Sequence, residues 1–192
     1  MTTPATSVRT FEGITVPEPG TFSLDPAHTR VGFVARHLMV SKVRGSFGDV
    51  AGTVTIAENP LDSTVDVTIK TASITTGAPD RDGHLRSGDF LETEKYPDMT
   101  FKGARIVSHK DNEFVVAGDL TIKDVTREVE LAVEYEGLAA SPFGHEVVAF
   151  TAKTEIDREE FGITWNVALE TGGVLVGRKV QIEIEAEATR QA

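Results

Sequence analysis

"REVELAVEYE", residues 127–136, is the stretch whose reading decides the fold. Val129, Leu131, Val133 and Tyr135 stand at every second position, and Glu128, Glu130, Glu134 and Glu136 stand between them. A two-residue period belongs to a strand, whose successive side chains leave opposite faces, so this segment has one dry face and one wet face. "KVQIEIEAEA", residues 179–188, repeats the pattern, with Val180, Ile182, Ile184 and Ala186 opposing Lys179, Gln181, Glu183, Glu185 and Glu187. The same rule sets Val65, Val67 and Ile69 against Asp66, Thr68 and Lys70, and runs Val31, Phe33, Ala35, His37 and Met39 along a first long strand. Further strands are expected near 47–57, 99–108, 113–122 and 145–156, about eight in all.

The links between these segments are short. "AENPLDS" (57–63), "SHKDNE" (108–113), "IKDVT" (122–126) and "ETGGVLVGR" (170–178) carry Gly, Pro, Asn or Asp where the chain must reverse. Short reversals join antiparallel neighbours, because parallel strands need a long crossover. The residues therefore specify an all-β antiparallel domain, and periodicity leaves a closed barrel and a two-sheet sandwich both open. Closure would remove the exposed edges that strands of this length otherwise present. Residues 1–19, with Thr, Ser and three prolines, are read as a flexible N-terminal arm with a short edge strand near Val8 to Phe11; the domain is expected to occupy residues 20–192.

Composition narrows the function classes. With 19 Lys plus Arg against 30 Asp plus Glu, the net charge of −11 has the wrong sign for neutralising nucleic-acid phosphates or lying on an anionic membrane. No nucleic-acid partner and no stable membrane insertion are expected, since no window approaches the roughly 20 apolar residues that span a bilayer. With no cysteine there is no disulfide, thiolate metal site or cysteine nucleophile. The opening "MTTPATSVRTFEGITVPEPG" lacks a charged start and the apolar run of about 7–15 residues of a secretory signal, so a cytoplasmic protein is expected.

Charge, histidine, glycine and aromatics crowd together in "RDGHLRSGDFLETEKYP", residues 81–97. Gly83 and Gly88 each cost a helix about 1 kcal/mol relative to Ala, and Pro97 discourages helix through Tyr96, so short helical turns are expected there. Asp80, Asp82 and His84 alternate like a calcium loop, yet Leu91 stands where the closing Glu belongs. The histidines are scattered singly, no G-x-S-x-G elbow occurs, and "ETGGVLVG" fits neither phosphate-binding glycine motif. His37, on an otherwise apolar stripe, is read either as a core-edge histidine satisfied by a neighbour or as a polar group facing a ligand cavity.

Four segments in fixed order, "FSLDPAHTRVGFVARHLMVSKVRGSF" (22–47), "RDGHLRSGDFLETEKYPDMTF" (81–101), "GDLTIKDVTREVEL" (118–131) and "IDREEFGI" (156–163), resemble the YceI-like family of lipocalin-like, polyisoprenoid-binding proteins over roughly Gly20 to Ala188. The resemblance implies an extended eight-stranded antiparallel β-barrel with a short helical cap at about 81–95. It also implies a long apolar tunnel for an isoprenoid or other fatty chain, and a homodimer. On that basis Phe33, Ala35, His37, Met39, Val65, Val67, Ile69, Leu85, Phe90 and Phe101 are expected to line the tunnel, with no catalytic residue, no metal, and no cofactor besides the bound lipid. The competing reading is a metal-dependent enzyme acting on a small amphiphile through Asp80, Asp82 and His84.

Overall fold

The computed structural model describes residues 8–191. The strands are β1 (Val8–Phe11), β2 (Ile14–Pro17), β3 (Gly20–Leu24), β4 (Arg30–His37), β5 (Ser41–Phe47), β6 (Val50–Ile56), β7 (Thr64–Lys70), β8 (Ile74–Thr75), β9 (Asp98–Lys110), β10 (Glu113–Ile122), β11 (Val125–Ala140), β12 (Glu146–Asp157) and β13 (Val176–Arg190). One helix, α1 (Pro79–Arg86), lies between β8 and β9.

Eight staves close into an antiparallel barrel. Two of them are bent and carry two strands each. β3 and β4 form the first, pairing with opposite ends of β13: Leu24 faces Ala188 and Arg30 faces Glu185, so residues 25–29 bulge out against residues 186–187. β5 and β6 form the second; β5 pairs with β4 and β6 with β3. The order then runs β7, β9, β10, β11, β12 and back to β13, each pairing antiparallel. The alternation of β11 and β13 thus wraps around a closed surface and becomes an inside and an outside, which leaves these staves without open edges.

The sequence reading differs from the structure in three places. β5 lies between the strands expected at 31–39 and 47–57, in a stretch given no element from the sequence, because Lys42, Arg44, Gly45 and Ser46 dilute the apolar signal. The helix starts earlier than expected and stops at Arg86, the remaining residues to Pro97 being turns. Residues 8–17, assigned to a loosely ordered arm, form the hairpin β1–β2, whose first strand falls where the edge strand was expected. The hairpin is held down by Arg9, which donates to the carbonyls of Pro17, Ala57 and Glu58. His109 adds a 2.7 Å contact to Glu12. Val16 and Pro17 are buried against one end of the barrel.

Two clusters of apolar residues pack the interior. One gathers Phe90, Leu91, Met99, Phe161 and Ile163 beneath α1, with Leu85 and Trp165 packed on it. The other gathers Val16, Phe22, Tyr135, Val148 and Ala188 beneath the hairpin.

Candidate functional site

Residues of both clusters wall an almost wholly apolar cavity of about 370 Å³, within the range of about 300–1,000 Å³ typical of small-molecule sites. Inner residues of almost every stave line it: Phe33 and Ala35 on β4, Val65, Val67 and Ile69 on β7, Phe101 on β9, Val129 to Tyr135 at alternate positions on β11, and Ile182, Ile184 and Ala186 on β13. Leu85, Phe90 and Leu91 bound it at the helical end, Val16 and Pro17 at the hairpin end. The bore stays open partly because two aromatic rings lie back against the wall. A β-carbon on Gly118 would stand 2.6 Å from the Phe101 ring, and one on Gly45 would collide with Phe33. Glycine at these two positions lets the rings fold onto the backbone and leaves the axis clear.

Of the residues expected in the lining, His37 and Met39 lie outside it. β4 ends at His37, and Leu38 and Met39 turn the chain with positive φ, so the two-residue alternation that would have carried these side chains inward stops there. Met39 is 54% exposed at the tip of the turn. Further lining residues sit on the dry stripes of β11 and β13, while others, such as Phe114 and Leu120 on β10 and Phe150 and Ala152 on β12, come from strands whose inward parity the sequence alone does not mark.

The helical end is built from α1 and the turns after it. Pro79 starts the helix, and Arg86 straps it to the wall by donating to the carbonyls of Ala72 and Ile74 at 2.9 and 2.7 Å. Asp82, buried on the opposite side of the helix from Asp80 and His84, accepts from the Thr76 amide and hydroxyl at 2.8 and 2.6 Å and from the Thr75 hydroxyl at 3.2 Å. His84 packs edge-on to Trp165 with ring centres 4.6 Å apart and pairs with Asp89 at 2.8 Å. Positions i, i+2 and i+4 of a helix do not share a face. Asp80, Asp82 and His84 therefore do not converge, and the competing metal reading has no site at those residues. Among the described residues, Asp25, His28 and Glu187 do bring ligand-type atoms within 4.8 Å of one another, at the bulge. There His28 already pairs with Asp25 at 2.7 Å, which holds the Asp25 carboxyl below its ordinary value and raises the His28 imidazole.

Hydrogen bonds from Thr76, foremost its hydroxyl, hold the Asp82 carboxyl below its ordinary value of 3.8. A depressed folded value means that this contribution to docking α1 is fully present above 3.8 and is lost as pH falls through the lower folded value. Acid titration followed by Trp165 fluorescence is expected to show the helical end loosening below about pH 4. The Asp82→Asn variant is expected to be looser already at neutral pH and to lack that part of the transition.

The sequence reading also passed over Arg158. Its side chain is only 4% exposed, and its guanidinium donates to the carbonyls of Gly177, Ile163, Trp165 and Val176 at 2.7–3.3 Å. Burial lowers its affinity for the proton. It lines the helical end of the cavity with its hydrogen-bonding capacity turned to the backbone, and it ties the 3₁₀ turn Arg158–Phe161 to the start of β13. The signal was the motif "IDREEFGI", in which an Arg follows the inward Ile156.

Among the described residues, no helix is long and apolar enough to cross a membrane. A YceI-like domain model matches residues 22–188. A UPF0312 protein of Staphylococcus epidermidis is 42% identical over 168 residues, covering 86% of this chain and 95% of the relative, and a Staphylococcus aureus UPF0312 protein is 42% identical over 170 residues. The crystal structure of a Campylobacter jejuni YCEI protein aligns with a TM-score of 0.70 at 30% identity, covering 82% of this chain and 90% of that one. Burkholderia cenocepacia BcnA aligns at 0.74 with 22% identity, covering 85% and 98%. A Saccharophagus degradans domain described as polyisoprenoid binding aligns at 0.68 with 15% identity, covering 88% and 98%. The last two likenesses concern the fold alone. With the family model spanning the barrel from β3 to β13, and with relatives at this identity matched over nearly their whole length, the chain belongs to the YceI-like domain family.

Proposed function

We propose that this protein binds, and thereby carries or stores, a polyisoprenoid or other long-chain lipid in its barrel. One observation carries the reading: a continuous apolar cavity of about 370 Å³ runs between the hairpin and the helical end of the closed barrel. The polyisoprenoid-binding description of the Saccharophagus degradans domain, which has the same fold, supports it. So does the energetics: at about 0.8 kcal/mol per buried methylene, ten chain carbons supply about 8 kcal/mol before the costs of association, and each further buried carbon adds to the net affinity. Arg158, the charged group at the cavity, is already engaged by four carbonyls, which suits a wall more than a reaction centre.

Native mass spectrometry of the gently purified protein is expected to show an added mass that disappears on organic extraction and is recovered as an isoprenoid or fatty-chain lipid. A protein that gains no mass when offered such lipids in excess would overturn the reading.

A further inference from the structure

The wall of the cavity is mostly apolar, and one residue on it carries a buried polar atom without a partner among the described residues. Tyr135, on β11, is 8% exposed, lines the cavity, and its hydroxyl is fully buried with no hydrogen-bond partner among the described residues. Around it stand Val16, Phe22, Val148 and Ala188, with the Phe150 ring centre at 5.7 Å. A buried phenol left unpaired is costly, and such groups in native proteins call for a specific explanation.

The backbone holds Tyr135 in this position by design of the sheet. Its amide donates to the Asn112 carbonyl at 2.8 Å, and Asn112 Nδ2 donates back to the Tyr135 carbonyl at 3.2 Å. The register against β12 slips immediately afterwards, between Tyr135 and Gly137, where Gly137 adopts φ +126°. A bulge of this kind re-aims one side chain relative to the strand and recurs beside binding sites.

The surroundings also select the charge of what could pair with the phenol. Burial and the nearby Glu146 carboxylate push the Tyr135 phenol up to about 12, so it is neutral and able both to donate and to accept. Arg190, the ion-pair partner of Glu146, is spent on that carboxylate and on the carbonyls of Pro19 and Glu18. An anionic head group beside the phenol would add to the negative field of Glu146, whose counter-charge Arg190 is already engaged. A hydroxyl or carbonyl oxygen meets a partner.

We propose that Tyr135 is the recognition point for an uncharged oxygen terminus, a hydroxyl or carbonyl, on a chain-like ligand whose hydrocarbon part fills the bore towards α1. This rests on the lipid-binding reading and adds to it the ligand's polar end and its direction in the barrel, polar end under the hairpin β1–β2. That hairpin precedes the residues matched by the family model, so this end is closed by a segment outside the family domain.

The test compares farnesol with farnesene, an alcohol and a hydrocarbon of one chain length, by displacement of a fluorescent apolar probe from the wild type and from Tyr135→Phe. The wild type is expected to favour the alcohol by about 5- to 10-fold beyond the preference of Y135F, the worth of one hydrogen bond in a dry site. Y135F is expected to melt no lower than the wild type, which sets a failure of recognition apart from a failure to fold. An alcohol-to-hydrocarbon ratio that the substitution leaves unchanged overturns the role of Tyr135 while leaving the lipid-binding reading intact. Binding of neither probe by the folded wild type overturns both.

Discussion

Val67→Trp is expected to abolish lipid uptake while the barrel stays folded. Val67 lies mid-stave on β7, opposite Gly52 on β6 and Phe101 on β9, and faces the cavity. An indole there fills space that about four methylenes of a bound chain would occupy, a loss of about 3 kcal/mol, or more than 100-fold in affinity. The same substitution reports on the bore itself. In a solidly packed interior the added bulk costs about 1–3 kcal/mol of stability, whereas in a hollow one it is absorbed. Lipid titration together with thermal melting separates these outcomes: lost binding with an unchanged melting temperature supports a hollow lipid site, and retained binding removes Val67 from the ligand's path.

The largest effect on stability is expected at Arg158. Arg158→Met keeps the length and apolar stem of the side chain but orphans the carbonyls of Gly177, Ile163, Trp165 and Val176. Each buried acceptor left unpaired costs about 1–3 kcal/mol, and partial relaxation brings the expected total to about 3–5 kcal/mol. For a chain of this size that is a fall of about 10 °C in melting temperature. Arg158→Lys is expected to rescue little, because one ammonium on a flexible stem does not reproduce a planar fork reaching carbonyls on both sides. Urea denaturation of both variants checks the order. A loss under 1 kcal/mol for R158M would mean that these carbonyls find other partners. The damage is expected to concentrate at the helical end, where Phe161 and Ile163 sit in the same core cluster as Phe90 and Leu91.

Much of the lining was legible in the sequence because it obeys a local rule. Phe33, Ala35, Val65, Val67, Ile69 and Phe101 face the cavity as strand parity demands, and Leu85 and Phe90 do so from the helical segment. His37 and Met39 obeyed the same parity on paper and failed it in space, since parity holds only while the strand continues and the chain turns at Leu38. The Asp80, Asp82 and His84 spacing failed for the complementary reason: a spacing that converges in a loop diverges once the segment winds into α1.

Strand content, antiparallel pairing and the apolar character of one face followed from the sequence by itself, because each depends on neighbours one or two residues apart. Closure of the barrel, the bore along its axis and the hairpin seated on its end were decided only by tertiary structure. A cavity is what remains after side chains from every stave have taken their places, and no single segment contains that sum. The roles of Arg158 and Tyr135 belong with them: whether a buried polar atom is satisfied by four carbonyls or by none depends on everything the fold brings around it.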